Sequence, residues 1–427
     1  MISLEEIKET KENKNVKLFP FYKAISWDLL FFYTILFLFL TQVKGISAAD
    51  VLLAEATYPI FKFLFLMPLT ALIEKIGKRK SLILANLVNA LSVVFFMVSS
   101  NLVYVIIAQF FSAIAFDIKG VAETNLLYDS LPKNEKRGSK FSKIDGKGGA
   151  GYYYLDAIAS VFAGFLYIVN PYIPLTLSLA ICIISAVLSY EFVETEVKER
   201  KKFSIKKYVK DLKSSFHYMF QSDRLKYLLI FGAIFSGLLG ALVSLRSGVL
   251  EELGVPEQYF GIIFAALGLI SGNTARNQHR FHNKFHNKTL AFLSIPTAAS
   301  CILVGFTIAL QFPYEPTLII ILLLFAVQYV AKGPFYTLIK RYLNNFTTSS
   351  LRNKISSCYN LTESISRSMI ALFASFLLRY IDSASTMCII GCILTIAIVL
   401  LLDKMSHKVG LKPEEYKKSE IEFLEIK

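Results

Sequence analysis

Apolar runs of roughly 20 residues recur along this chain from about Ala24 to Asp403, each long enough to cross a hydrocarbon layer as a helix. Inside lipid every backbone N–H and C=O needs a partner within the protein, so a spanning chain is restricted to helices or a closed barrel. Long, uninterrupted runs favour helices. Of the 427 residues, 54% are hydrophobic, 36 are Phe and 22 are Tyr, and the mean hydropathy is +0.51. A soluble domain has far fewer such runs. The sequence reads as an all-α, polytopic membrane protein.

The net charge of +14 raises the question of nucleic acid, but its distribution answers it. Apart from Lys44, Lys62, Lys119, Arg246, Lys332, Arg367 and Arg379, the lysines and arginines fall in the tails and in the loops of one side. Positive charge gathered on one side marks that side as cytoplasmic, so no nucleic-acid partner is expected. The N-terminal MISLEEIKETKENKNVK is hydrophilic and carries no apolar core. No cleavable signal peptide is expected, and the first span should direct insertion. Cys182, Cys301, Cys358, Cys388 and Cys392 lie in or beside apolar runs without metal-type spacing and read as packing residues.

Taken in order, residues 1–23 form a cytoplasmic tail and 24–193 an N-terminal lobe of six spans. A basic linker follows at 194–226, then a second lobe of six spans at 227–403, and 404–427 form a second cytoplasmic tail. Within the first lobe, helix 1 is expected from about Ala24 to Val43 and helix 2 from Ala48 to Ile73. Helix 3 runs from Ser81 to Val98, helix 4 to about Tyr128, helix 5 from Gly148 and helix 6 to Phe192. The second half carries a basic loop, Asn273 to Lys288, where the first half carries Thr70 to Leu82. Such pseudo-repetition is expected of two-lobed transporters.

Thr70 to Leu82, TALIEKIGKRKSL, is a basic turn wedged between two apolar runs. It resembles the loop 2–3 signature of the major facilitator superfamily. Leu72, Lys75, Gly77, Lys78, Arg79 and Leu82 match, while Thr70 stands for a glycine and Glu74 for the aspartate. LLYDSL at Leu126 to Leu131 and YLNN at Tyr342 to Asn345 resemble a bacterial branch of the same superfamily. The resemblance implies two six-helix lobes around a central cavity lined by helices 1, 4, 7 and 10, with Glu74, Lys75, Gly77, Lys78 and Arg79 as a gating motif. An amino-acid-transporter-like fold would call for breaks in helices 1 and 6, and the sequence shows no breaker in either.

Ionisable groups inside spans cost roughly 2.5–3.5 kcal/mol on insertion scales, so each is a candidate for function. Asp28, Asp117, Lys119, Arg246 and Lys332 lie on the helices that the resemblance places around the cavity. Asp117, Glu123 and Asp156 are candidates for proton coupling, because a carboxyl group in low dielectric resists ionisation and can be loaded and unloaded with a proton. Lys119 and Glu123, and likewise Glu363 and Arg367, are four residues apart and face the same way. Glu55 and Lys62 share one face of helix 2. Arg246 and Lys332 have no acidic residue within one turn of their own helices.

His279, His282 and His286 sit on one face if their loop is helical, yet no carboxylate or thiol accompanies them, and no metal is expected. No phosphate-binding loop and no nucleophile motif appears, so neither an enzyme nor an ATP-driven pump is indicated, and no cofactor is expected. The chain is expected to be a monomeric secondary transporter in the plasma (inner) membrane, with both termini cytoplasmic, and to move small organic molecules by alternating access with protons. Export is favoured, because the exporter-rich bacterial branch is the one resembled. Proton-coupled uptake of a small anionic nutrient is the alternative, motivated by Arg246 and Lys332.

Overall fold

The computed structural model describes residues 4–132, 137–195, 223–285, 288–345 and 352–405, with isolated positions between 210 and 220. Among them the regular structure is entirely helical. The first half comprises α1 (Leu4–Ser26), α2 (Tyr33–Leu38) continued by a wide π-helical turn (Phe39–Val43), α3 (Ala48–Ile76), α4 (Lys78–Met97), α5 (Leu102–Asp129), α6 (Arg137–Val169) and α7 (Tyr172–Tyr190). The second comprises α8 (Asp223–Glu252), α9 (Glu257–Arg276), the short α10 (Gln278–Phe285), α11 (Thr289–Ala309), α12 (Tyr314–Asn345), α13 (Arg352–Leu377) and α14 (Ser383–Met405).

Nine helices among the described residues are long and apolar enough to cross a membrane: α3 to α8, α11, α12 and α14. The three other expected spans correspond to α2 with its π turn, to α9 and to α13. The last is interrupted by Ser357, Asn360, Thr362, Glu363, Ser366 and Arg367.

The chain packs as two compact units, Met1–Ser47 with Thr57–Phe203 and Pro256–Ala265, and Ala48–Ala56 with Ser204–Val255 and Ala266–Lys427. In the first, Phe19 and Tyr22 of α1 pack with Leu69 and Ile73 of α3, Leu82 and Ala85 of α4, and Ile118 and Leu126 of α5. Lipid is as apolar as leucine, so such helices are held by close packing and by polar contacts. Asn86 of α4 supplies the polar contacts by donating to Tyr22 Oη at 2.9 Å and to Ser189 Oγ at 3.0 Å. In the second unit Gly305 of α11 and Gly391 of α14 bring their helices close. A Cβ on Gly305 would lie 2.5 Å from Cys388 Cβ, and one on Gly391 would lie 2.8 Å from Cys301 Cβ. Cys182, Cys301 and Cys358 are buried free thiols.

The expected continuity of helix 1 is overturned. Trp27 to Phe32 leave the helix between α1 and α2, with Phe31 at φ +61°. A bulky residue in this left-handed region is strained and persists only where its surroundings hold it. Here those surroundings come from three directions. Lys119 Nζ of α5 donates to the freed Ser26 carbonyl at 2.5 Å. Ser178 Oγ of α7 donates to the Leu30 carbonyl. Asp28 turns its own carboxylate onto Leu29 N at 2.8 Å. The break is thus stabilised by tertiary donors, without a proline or glycine to force it. Residues 4–23, read from sequence as tail, belong to α1, which runs unbroken up to this point.

Candidate functional site

Ionisable groups gather in three places, two within the first unit and one within the second. The first lies around the break in helix 1. Asp28 accepts from Tyr33 Oη at 2.8 Å as well as from Leu29 N, and it feels the charges of Lys119 and Lys62. Lys62 of α3 reaches Asp117 of α5 at 3.8 Å, and its ammonium stands 5.6 Å from the Tyr58 ring. Asp117 is only 4% exposed while Lys62 is 39% exposed, so the pair joins an inner acid to a partly open base. Asp117 Oδ2 has no protein donor.

Lys119, two residues beyond Asp117 on α5, does not form an ion pair with Glu123. Its amine is taken by the Ser26 carbonyl, with the Phe116 ring 5.2 Å away. Glu123 is buried on the same helix with Oε1 unpartnered. Trp27 packs edge-on against Tyr152 and Tyr153 of α6, and Asp156 lies beside Tyr152. Gly151 lets α6 come this close, because a Cβ there would sit 2.9 Å from Ala24 Cβ.

The second cluster belongs to the other unit. Arg246 of α8 is fully buried, and its Nε donates to Gln328 Oε1 of α12 at 2.7 Å. Its guanidinium lies 4.5 Å from the Tyr329 ring, and Lys332 Nζ lies 5.1 Å from the same ring. Glu363 of α13 accepts from Ser236 Oγ of α8, and Arg367 packs onto Gly240, where an added Cβ would lie 3.0 Å from its Nε. Glu55 accepts from Ser244 Oγ and feels the charge of Arg367.

The third cluster is the signature loop. Gly77 adopts φ +90°, a conformation that a side chain opposes, and a Cβ at this position would meet Glu194 Oε2 at 2.6 Å. Glu194 uses that space to accept from Lys78 N and Arg79 N, each at 3.0 Å, so it caps the N-terminus of α4. Lys78 Nζ donates to Asp129 at 2.6 Å and to Thr195 Oγ1 at 2.6 Å, and Arg137 reaches the other Asp129 oxygen at 3.4 Å. Arg79 stacks 4.3 Å from the Tyr190 ring. Nearby, Lys14 bonds Glu191 at 2.8 Å and holds its carboxyl below the usual range. Glu74 and Lys75 are exposed.

The structure therefore joins Asp28, Lys62, Asp117 and Lys119 in one neighbourhood and Arg246 with Lys332 in another. The on-helix pairing of Lys119 with Glu123 is replaced by a cross-helix bond. Sequence reasoning missed Gln328 and Tyr329, which give Arg246 its setting, and Asp129 and Glu194, which hold the loop. Glutamine and tyrosine in an apolar helix carry no charge signal, although Gln328, Tyr329 and Lys332 do share one face by their spacing. Among the described residues no group of His, Cys, Asp and Glu is placed to hold a metal. The side chains of His279 and His282, and all of His286, lie outside the described residues.

The sequence profile of the Major Facilitator Superfamily matches residues 24–311. Three solved structures are similar in fold. The nucleoside transporter NupG superposes with a TM-score of 0.69 at 13% identity, over 96% of this chain and all of that one. A POT family transporter in complex with 5-aminolevulinic acid gives a TM-score of 0.67 at 14% identity, over 93% of this chain and 97% of that one. A D-xylose-proton symporter gives 0.66 at 14% identity, over 96% and 98% respectively. No curated protein matches the sequence. Apolar spans, a paired signature loop, a profile match over more than half the chain and this fold agree: the chain belongs to the major facilitator superfamily, as a membrane transporter of small molecules.

Proposed function

We propose that the protein is a proton-coupled secondary transporter of small organic molecules in the plasma membrane, and that it works by alternating access between lobes 24–193 and 227–403. The observation that carries this reading is the Lys62–Asp117 pair. Asp117 is almost fully enclosed, and its partner is an ammonium from another helix at 3.8 Å. Ionised, the carboxylate attracts Lys62 and draws α3 toward α5. Protonated, it releases Lys62 and becomes neutral in an apolar setting. Each proton binding event therefore switches off the pull between Lys62 and Asp117, which is the requirement for linking proton movement to a change of shape. Asp28, which feels the charge of Lys62, is placed to modulate that step, and Glu123 and Asp156 are proposed as further proton carriers. A proton symporter among the solved structures of this fold is in keeping with the reading.

Export is the proposed direction, on the resemblance of LLYDSL and YLNN to a bacterial branch rich in exporters. The test uses inside-out membrane vesicles that hold a respiration-driven proton gradient reported by a quenched acridine dye. Compounds from a panel of aromatic drugs and small organic acids are added in turn. A substrate of a proton-coupled exporter releases the quench in wild-type vesicles and fails to do so in Asp117→Asn vesicles. A response of equal size and pH dependence in the Asp117→Asn and Glu123→Gln double variant would remove proton coupling from these residues.

A further inference from the structure

We infer that Arg246, set by Gln328 and Tyr329 and joined by Lys332, is a recognition site for the carboxylate or phosphate of an anionic organic solute. The inference rests on the transporter reading, since a transported solute is what gives a ligand access to so deep a group.

The argument begins with the guanidinium. Arginine does not shed its proton at any physiological pH, so burying it leaves a full charge to be answered. Arg246 is 0% exposed, and among the described residues it makes no ion pair. Only Nε is satisfied, by Gln328, while Nη1 and Nη2 have no protein acceptor. The two nitrogens left over are the terminal pair, whose parallel N–H bonds match the two oxygens of a carboxylate or phosphate.

The neighbours then fix the direction in which that pair points. Gln328 is oriented by two sulfur atoms, its Nε2 lying 3.7 Å from Cys301 Sγ and 3.8 Å from Met387 Sδ. That leaves Oε1 for Arg246 Nε and locks the fork's rotation. The Tyr329 ring lies 4.5 Å from the guanidinium carbon. Lys332 brings a second cation to the same ring. Two positive groups beside one ring repel each other, and neither has an ion-pair partner among the described residues. Glu55, the acid bonded to Ser244 of the same helix, is instead in the field of Arg367. An anion bound end-on to Arg246 with Lys332 beside it neutralises both.

The test is binding by the full chain purified in detergent, read by thermal shift and by calorimetry at fixed ionic strength. The probes are succinate for carboxylates, glycerol 3-phosphate for phosphate esters, and succinamide and glycerol as their neutral counterparts. One anion is expected to raise the melting temperature and its neutral counterpart to leave it unchanged. The arm that responds identifies carboxylate or phosphate. Arg246→Lys, which keeps the charge but loses the fork, should weaken binding about tenfold or more. Arg246→Gln should abolish it, and Lys332→Gln, which alters a partly exposed position, should weaken it less. Equal binding of anions and their neutral counterparts by the wild type, or anion binding retained in Arg246→Gln, overturns the site. If Arg246→Gln does not fold, unaltered anion binding in both Arg246→Lys and Lys332→Gln overturns it equally. The vesicle assay reads the transporter reading separately. Anion binding without proton release would sink coupling and leave this site standing, and proton release driven by neutral compounds alone would do the reverse.

Discussion

In the first unit Lys119 gives its amine to the Ser26 carbonyl and Asp117 faces Lys62, whereas in the second Arg246 sends one nitrogen to Gln328 and leaves two without a protein acceptor. Both units place cations deep in apolar surroundings, at similar electrostatic cost. The first meets the cost internally, with a backbone carbonyl and a carboxylate, and its cations thereby shape the protein. The second leaves the cost partly unmet. A buried charge without an ion-pair partner is a poor structural element and a good binding element, so on the proposed reading the difference divides labour: one unit would hold geometry and the proton, the other would bind an anion.

The largest expected effect that would sharpen this contrast is Lys119→Met. It strips the donor from a buried carbonyl at a strained break and should cost about 3 kcal/mol, given the penalty for an unsatisfied buried group with a charged donor. Denaturant or thermal unfolding in detergent measures it, and an unchanged midpoint would mean that the break needs no donor. Gly77→Ala should cost about 2 kcal/mol, from a side chain forced into φ +90° and from displacement of the Glu194 cap. The same unfolding measurement on Glu194→Gln separates the two causes, because only Gly77→Ala adds backbone strain. Arg246→Met should move the other way. In the absence of ligand it should hold or raise stability by about 1 kcal/mol, since replacing an uncompensated buried charge with an apolar side chain is neutral or favourable. A clear loss would break the comparison, because it would show that Arg246 is structural after all.

The smallest effect concerns Lys14–Glu191, half-exposed on the surface of the first unit. Lys14 depresses the folded-state carboxyl below its ordinary value of 4.5. The contribution is therefore complete above that value and fades as pH falls through the lowered one. Melting curves of wild type and Glu191→Gln should differ slightly near neutral pH and converge in acid. A gap that widens in acid would reverse the sign of the linkage.

The fold was largely legible in the sequence. Uninterrupted apolar runs, one-sided positive charge and the Thr70 to Leu82 turn each report a property that is local along the chain. The candidate sites were half legible. Asp28, Lys62, Asp117, Lys119, Arg246 and Lys332 announce themselves because a charge in an apolar run is conspicuous. Their partners do not. Lys119 has Glu123 at the spacing that favours pairing on a helix, yet it bonds a carbonyl 93 residues away in sequence. The break itself was invisible because ISWDLLFFY contains neither proline nor glycine, and its causes, Lys119 and Ser178, are tertiary. Gly77 lies in the turn read from the sequence, but the second reason for it, the Glu194 carboxylate filling the space a side chain would need, sits in what the sequence presents as linker.

The broken first helix also bears on how the protein is made. Its apolar helical part, Tyr33–Val43, is about 17 Å long at the α-helical rise, roughly half the thickness of a hydrocarbon core. Lys119 and Ser178, which satisfy the carbonyls of Ser26 and Leu30, emerge from the ribosome long after those carbonyls do. Bare carbonyls are intolerable in lipid. The first span therefore reaches its final form late in synthesis, after α5 and α7 have arrived. Until then it must either stay a continuous helix or wait in the shelter of the insertion machinery.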